Sequence, residues 1–177
     1  MIITRSWAMP DKQTFDIEPI RNLVNRYIFG VSVDPFANSC NIANITNDID
    51  PQYDTTYNMD ALDFFKKQIQ SRSVDTVLFD PPYSPRQVSE VYKSMDMSVN
   101  MQTTQSSFWG DLKKEIARIV KHNGIVITCG WNSGGIGEKY GFCIQEILLV
   151  AHGGWHNDTI VTVEKKITDQ QELFGDQ

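Results

Sequence analysis

Apolar positions along this chain follow two rhythms, one helical and one extended, and the two alternate. From Asp16 to Ile28, the residues Ile17, Ile20, Leu23, Val24 and Tyr27 recur at helical spacing and predict a helix with one apolar stripe. A short strand over Phe29 to Val33 then runs into Asp34-Pro35, and a weaker one over Asn44 to Ile49 ends at Asn47-Asp48. Asp60 to Gln70 returns to the helical rhythm, with Leu62, Phe65 and Ile69 on one face. Val74 to Phe79 is a compact apolar strand, stopped by Pro81-Pro82. A helical start over Gln87 to Lys93 leads into Met95 to Ser107, a polar stretch that reads as a long mobile loop. Asp111 to Lys121 is amphipathic through Leu112, Ile116, Ile119 and Val120, and Asn123-Gly124 separates it from a buried strand, Ile125 to Cys129. Ile144 to Ala151 and Thr159 to Val163 close the pattern as two strands around a turn-rich loop.

Alternating helices and strands predict an α/β fold. The expectation is a doubly wound, mainly parallel sheet of about seven strands, ending in an antiparallel hairpin. Neither a repeat nor a linker interrupts residues 1–177, so one domain is expected, with 168–177 as a disordered acidic tail.

Composition narrows the classes. No apolar run approaches the roughly 20 residues of a membrane span, and Met1 to Trp7 lacks the basic-then-apolar order of a signal peptide. A cytoplasmic protein is the expectation. The three cysteines, Cys40, Cys129 and Cys143, are widely spaced and read as reduced thiols. His152 and His156 flank Gly153-Gly154, which suits a turn with exposed histidines, and no metal site is expected. The net charge of −6 opposes a polyanionic substrate, because Lys and Arg drive phosphate binding. Part of that acidity sits in the tail at Asp169, Glu172 and Asp176.

The chemistry concentrates in Asp80-Pro81-Pro82-Tyr83, directly after the strand Val77-Leu78-Phe79. An exocyclic amine on an aromatic ring is a poor nucleophile, because its lone pair is delocalised. It improves when its N–H groups donate to acceptors out of the ring plane, and the Asp80 carboxylate and Pro81 carbonyl can serve. Consecutive prolines fix the backbone before substrate arrives. Tyr83 offers a stacking face for a base turned out of its helix, worth about 1–3 kcal/mol. The plainer alternative is a proline turn with Asp80 as a cap. The carboxyl end of a strand in an α/β sheet, where ligands bind, favours the chemical reading.

Asp-Pro-Pro-Tyr in this place resembles the catalytic motif of the S-adenosylmethionine-dependent amino-methyltransferases, in particular the DNA adenine-N6 methyltransferases. Other segments match in order over nearly the whole chain. Asp34-Pro35-Phe36-Ala37-Asn38-Ser39 resembles the family's first cofactor motif, and Phe15 with its flanking helix resembles the segment beside the methionine end of the cofactor. Asp48 stands where the family places an acid for the ribose hydroxyls. Asp60-Ala61 resembles the motif whose acid approaches the cofactor adenine, and the loop at Trp131-Asn132 would lie beside the target base. Arg86, three residues past Tyr83, is a candidate phosphate contact.

The resemblance implies a Rossmann-like fold, S-adenosyl-L-methionine as cofactor, and transfer to N6 of adenine in DNA. Cytosine N4, guanine N2 or an RNA base stand as alternatives, as does a non-catalytic nucleic-acid-binding subunit. It departs from the family at Asn38 and Cys40, where glycines are usual; Asn tolerates the left-handed backbone such a loop needs and Cys does so poorly. It also lacks room for a target-recognition domain. A homodimer or a partner subunit is therefore expected to supply recognition, in a restriction–modification or phage setting.

Overall fold

The computed structural model describes residues 1–82 and 106–168. Seven strands form one sheet: β1 (Ile2–Trp7), β2 (Ser32–Asp34), β3 (Ile45–Thr46), β4 (Val74–Phe79), β5 (Val120–Gly130), β6 (Phe142–Ala151) and β7 (Thr159–Lys166). Their order across the sheet is β1-β6-β7-β5-β4-β2-β3. The pairs β1/β6, β2/β3, β2/β4 and β4/β5 are parallel, while β7 runs antiparallel between β5 and β6. This is the expected mainly parallel sheet with a terminal hairpin.

Among the described residues three α-helices cover it: α1 (Glu18–Tyr27), α2 (Ala61–Gln68) and α3 (Ser106–Ile119). Both faces are apolar, as buried parallel strands require. Along β4, Val77 and Phe79 pack toward α2 and α3, with Phe64, Phe65, Leu112 and Ile116. Leu78 points the other way, and joins Ile127, Val150, Val161 and Val163 against Ile20, Leu23 and Val24 of α1.

Several boundaries differ from the sequence pattern for local reasons. The Phe29–Val33 strand is displaced to Ser32–Asp34, because Gly30 turns with φ +58. The β3 strand shrinks to Ile45–Thr46. Helix α2 buries Ala61, Phe64 and Phe65, so Phe64 replaces Leu62 on the core face expected there. Helix α3 starts earlier, at Ser106, and ends before Val120, which already belongs to β5. Asn123-Gly124 lies inside β5, where the register jumps from Val74↔Val120 to Thr76↔Ile125; Asn123 sits there at φ +65. The helix expected at Gln87 to Lys93, most of the Met95 to Ser107 loop, and the tail beyond Thr168 lie outside the described residues.

Strand β1 has no counterpart in the sequence pattern. It pairs in parallel with β6 at the sheet edge, with Ile2, Ile3 and Trp7 exposed, so no alternation betrays it. His152 corrects the expectation of an exposed turn. It is buried at the base of the β6–β7 loop, its ring nitrogens hydrogen-bonded to the Ala8 carbonyl (2.9 Å) and Thr159 Oγ1 (2.8 Å). Among the described residues no His/Cys/Asp/Glu group is arranged for a metal, and no helix is long and apolar enough to cross a membrane.

Lys166, near the end of β7, ties the last strand to α3. Its buried ammonium donates to the carbonyls of Ala117 (2.7 Å) and Val120 (2.9 Å) at the helix C-terminus, where a cation is favoured. Lys166→Met leaves those acceptors buried without a donor. It is expected to lower the unfolding free energy by about 2–3 kcal/mol, read as a lower denaturant midpoint at unchanged slope.

Candidate functional site

The order of strands reverses between β2 and β4. β3 is added on one side of β2 and β4 on the other, which opens a crevice at their carboxyl ends. Asp34 is the last residue of β2 and Asp80 follows directly on β4, so both carboxylates stand at this crevice. The topology thus brings together the two acids that the sequence singled out from segments far apart.

Asp34 is 1% exposed. Its Oδ1 accepts from the Phe36 amide (3.0 Å), while Oδ2 is buried without a hydrogen-bond partner. Burial pushes its pKa from 3.8 up to about 8; the Phe36 amide pulls the other way, and the negative charges of Asp80 and Asp48 add to the rise. An uncompensated carboxyl of this kind is costly in a core and marks a candidate functional group.

The loops around it are held by short-range hydrogen bonds. Asn38 takes φ +49, in the left-handed region that Asn tolerates, and its amide donates to Asp48 Oδ2 (2.9 Å). Asp48 also accepts from the Asp50 amide (2.9 Å), and burial raises its pKa. Both contacts are to backbone, so the acid expected at a ribose also staples two loops together. Asn47, wholly buried, does more. Its amide nitrogen donates to the carbonyls of Pro35 (3.1 Å) and Met59 (3.0 Å), and its oxygen accepts from the Met59 amide (3.2 Å). Sequence reasoning saw Asn47 only as the end of a strand.

Asp60 caps α2, accepting from the amides of Leu62 (2.9 Å) and Asp63 (3.2 Å). Pro35, Phe36, Ile49, Met59, Asp60 and Ala61 line a slot of about 40 Å³, closed on one side by Phe108. Ile49 is a wall residue that the sequence reading did not single out, although it directly follows Asp48. Ser39 accepts from Gln13 Nε2 (2.7 Å). Phe15 is 3% exposed and belongs to the core cluster under α1, with Cys40 and Ala43.

A second opening, about 290 Å³, lies beside the ends of β4 and β5. Pro81, Pro82, Thr128, Trp131 and Asn132 bound it, and α3 contributes Trp109 and Lys113. Trp131 is 45% exposed, and Asn132 Oδ1 accepts from the Gly134 amide (2.9 Å). Cys129 lies at its floor; burial, then the charges of Asp80 and Asp34, hold its thiol well above the usual range. Such a thiol is inert. Tyr83 and Arg86 lie outside the described residues. The glycine-rich segment after β5 is tied down by Glu164, fully buried, which accepts from the amides of Ile136 (2.6 Å) and Gly137 (2.9 Å).

The chain matches no protein-family model and no curated protein. Solved structures do share its fold. TrmN from Thermus thermophilus superposes with a TM-score of 0.51 at 14% identity over 85% of this chain. This chain spans about half (48%) of that one. An rRNA methylase from Streptococcus thermophilus gives 0.51 at 10% identity, over 91% of this chain and 100% of the other. The Burkholderia thailandensis 1,6-didemethyltoxoflavin-N1-methyltransferase, solved with S-adenosylhomocysteine, gives 0.50 at 9% identity, over 77% and 71%. The fold is the Rossmann-like methyltransferase fold.

Asp34 should make stability depend on pH in a definite direction. A carboxyl whose folded pKa is raised binds more protons folded than unfolded, so its contribution favours folding at low pH. The chain is expected to lose stability as pH rises from about 4 towards about 8 through this group. Asp34→Asn, which keeps the shape and removes the titration, should flatten that slope and raise the melting temperature at pH 8. A slope unchanged by the substitution would place the titration elsewhere.

Proposed function

We propose that this chain is an S-adenosylmethionine-dependent methyltransferase acting on an exocyclic amine of a nucleobase, with N6 of adenine in DNA as the acceptor. The observation that carries the reading is the buried, half-satisfied Asp34 carboxyl at the switch point, beside Asp80. S-adenosylmethionine carries an ammonium and a sulfonium, and a cation against Oδ2 would supply the missing partner. The small-loop contacts agree: Asn38 gives the cofactor loop its left-handed turn where a glycine is usual, and the slot between Ile49 and Ala61 offers an apolar place for a purine edge.

The residues that would hold the cofactor are Asp34 to Ser39, Asp48, Ile49, Asp60 and Ala61. The cofactor supplies an electrophilic methyl group. The chain's part is positional. Asp80 and the Pro81 carbonyl accept from the two N–H groups of the target amine, bending it out of the ring plane and exposing its lone pair. The fixed prolines keep these acceptors from relaxing, and the cavity beside them receives the ring, with Tyr83 and Trp131 as stacking faces and Arg86 as a phosphate contact. Asp80 then takes up the positive charge that develops on the amine and holds the proton that leaves it.

An RNA base is the second reading, since one protein of the same fold is an rRNA methylase. The net charge of −6 fits a homodimer or partner subunit that supplies contacts to nucleic acid.

Two measurements test the reading. Asp80→Ala is expected to reduce methyl transfer to adenine-containing DNA by at least about 100-fold, the scale of a lost positioned proton acceptor, with cofactor affinity kept. Full transfer by that variant would refute the assignment, and mass spectrometry of the digested product identifies the base. Calorimetric binding of S-adenosylmethionine should weaken as pH falls below about 8, because Asp34 must first give up its proton. Asp34→Asn should bind poorly at every pH.

A further inference from the structure

Part of the wall of the cavity beside Pro81 and Pro82 comes from α3. Trp109 and Lys113 stand one turn apart and both line it. Lys113 is half-buried, and no hydrogen bond or ion pair to it is found among the described residues. Burial holds its pKa below the ordinary lysine value; the Glu164 charge raises it and the Lys139 charge lowers it. Glu164 is itself fixed, since its carboxylate accepts from the Ile136 and Gly137 amides. Gly135, at φ +48, lets the loop fold over that carboxylate, where any Cβ would collide with it. The Glu164 carboxyl thus stands near a lysine whose own ammonium has no partner among the described residues.

The neighbouring polar groups can donate too. Asn132 spends its oxygen on the Gly134 amide, which leaves its amide nitrogen for a ligand. Thr128 Oγ1 is buried without a partner. Lysine donates and cannot accept. The cavity therefore offers donors to a ligand's acceptors.

We propose that Lys113 is a specificity-determining residue, donating from α3 to an acceptor on the ring edge of the base held beside Pro81 and Pro82. This rests on the reading of the site as a base-amine methyltransferase. On the Watson–Crick side of the amine, where the contact is placed, adenine (N1) and cytosine (N3) present an acceptor, whereas guanine presents its N1–H donor, its N3 acceptor lying on the other side. Lys113 faces that donor with another donor, so guanine is rejected and adenine or cytosine accepted.

Side-chain NMR of the full chain with isotope-labelled lysine reads the contact without turnover, the Lys113 signal being identified from Lys113→Arg. Adenosine and cytidine are expected to shift it, and guanosine and inorganic phosphate to leave it unmoved. A shift with phosphate, a shift with all three nucleosides alike, or no shift overturns the proposal. In methylation assays, Lys113→Met is expected to lose about 10- to 100-fold in kcat/KM on an adenine-containing strand, at unchanged cofactor affinity, with Lys113→Arg recovering part of it. Equal kcat/KM in wild type and Lys113→Met removes the role and leaves the methyltransferase reading standing. A wild-type chain that shows the selective shift but transfers no methyl group keeps the contact and refutes that reading.

Discussion

Everything at the site depends on how the end of β2 is held to β3 and to the loop that leads into α2. A parallel sheet normally covers its face with a helix in each crossover. Here the connection from Asp34 to Ile45 and the one from Thr46 to Tyr57 carry none. The buried Asn47 side chain takes over that task, fastening Pro35 and Met59 to its own strand end with three hydrogen bonds. Asp48 adds the Asn38 and Asp50 amides, and a parallel bridge joins Asn47 to Tyr57. Because the polar groups are satisfied by one another, the loops can be compact and still shape a crevice.

That arrangement leaves Asp34 as its exception. Neighbouring backbone and side-chain groups are paired, yet Asp34 Oδ2 is not, and two further carboxylates press on it. A purely structural protein would gain by replacing it with an apolar or neutral residue. Keeping an acid there makes sense if a cation completes it, which is how unfavourable local electrostatics become an argument about function.

Much of this was legible in the residues. Asp34, Asp48, Asp60 and Asp80 sit at strand or helix ends, and short apolar runs before Asp34 and Asp80 announce those ends. The Pro81-Pro82 stop is visible for the same reason. Edge strand β1 was not, because exposed Ile2, Ile3 and Trp7 show neither alternation nor burial. The inward turn of His152 was hidden as well: its partners, Ala8 and Thr159, come together only once β1 is paired beside β6. Lys113 drew no notice in the sequence, since its surroundings come from β5 and β7 and not from its own helix. Long-range assembly, which local periodicity does not encode, accounts for each of these cases.

Charge ties the two halves of the site together. With Asp34 protonated near neutral pH, the crevice carries less negative charge than its sequence implies. Binding a cation there releases the proton, so the positive charge brought in is offset by the carboxylate it creates. Loading the crevice therefore does little to make this acidic chain attractive to a polyanion. Attraction has to come from groups outside it. Among the described residues that line the second cavity, Lys113 is the cation, and the role proposed for it is reading a base, not gathering phosphates. Specificity at the ring edge and affinity for the backbone are thus separate problems in this fold. The chain's own residues address the first, while the second falls to basic groups elsewhere or on a second subunit.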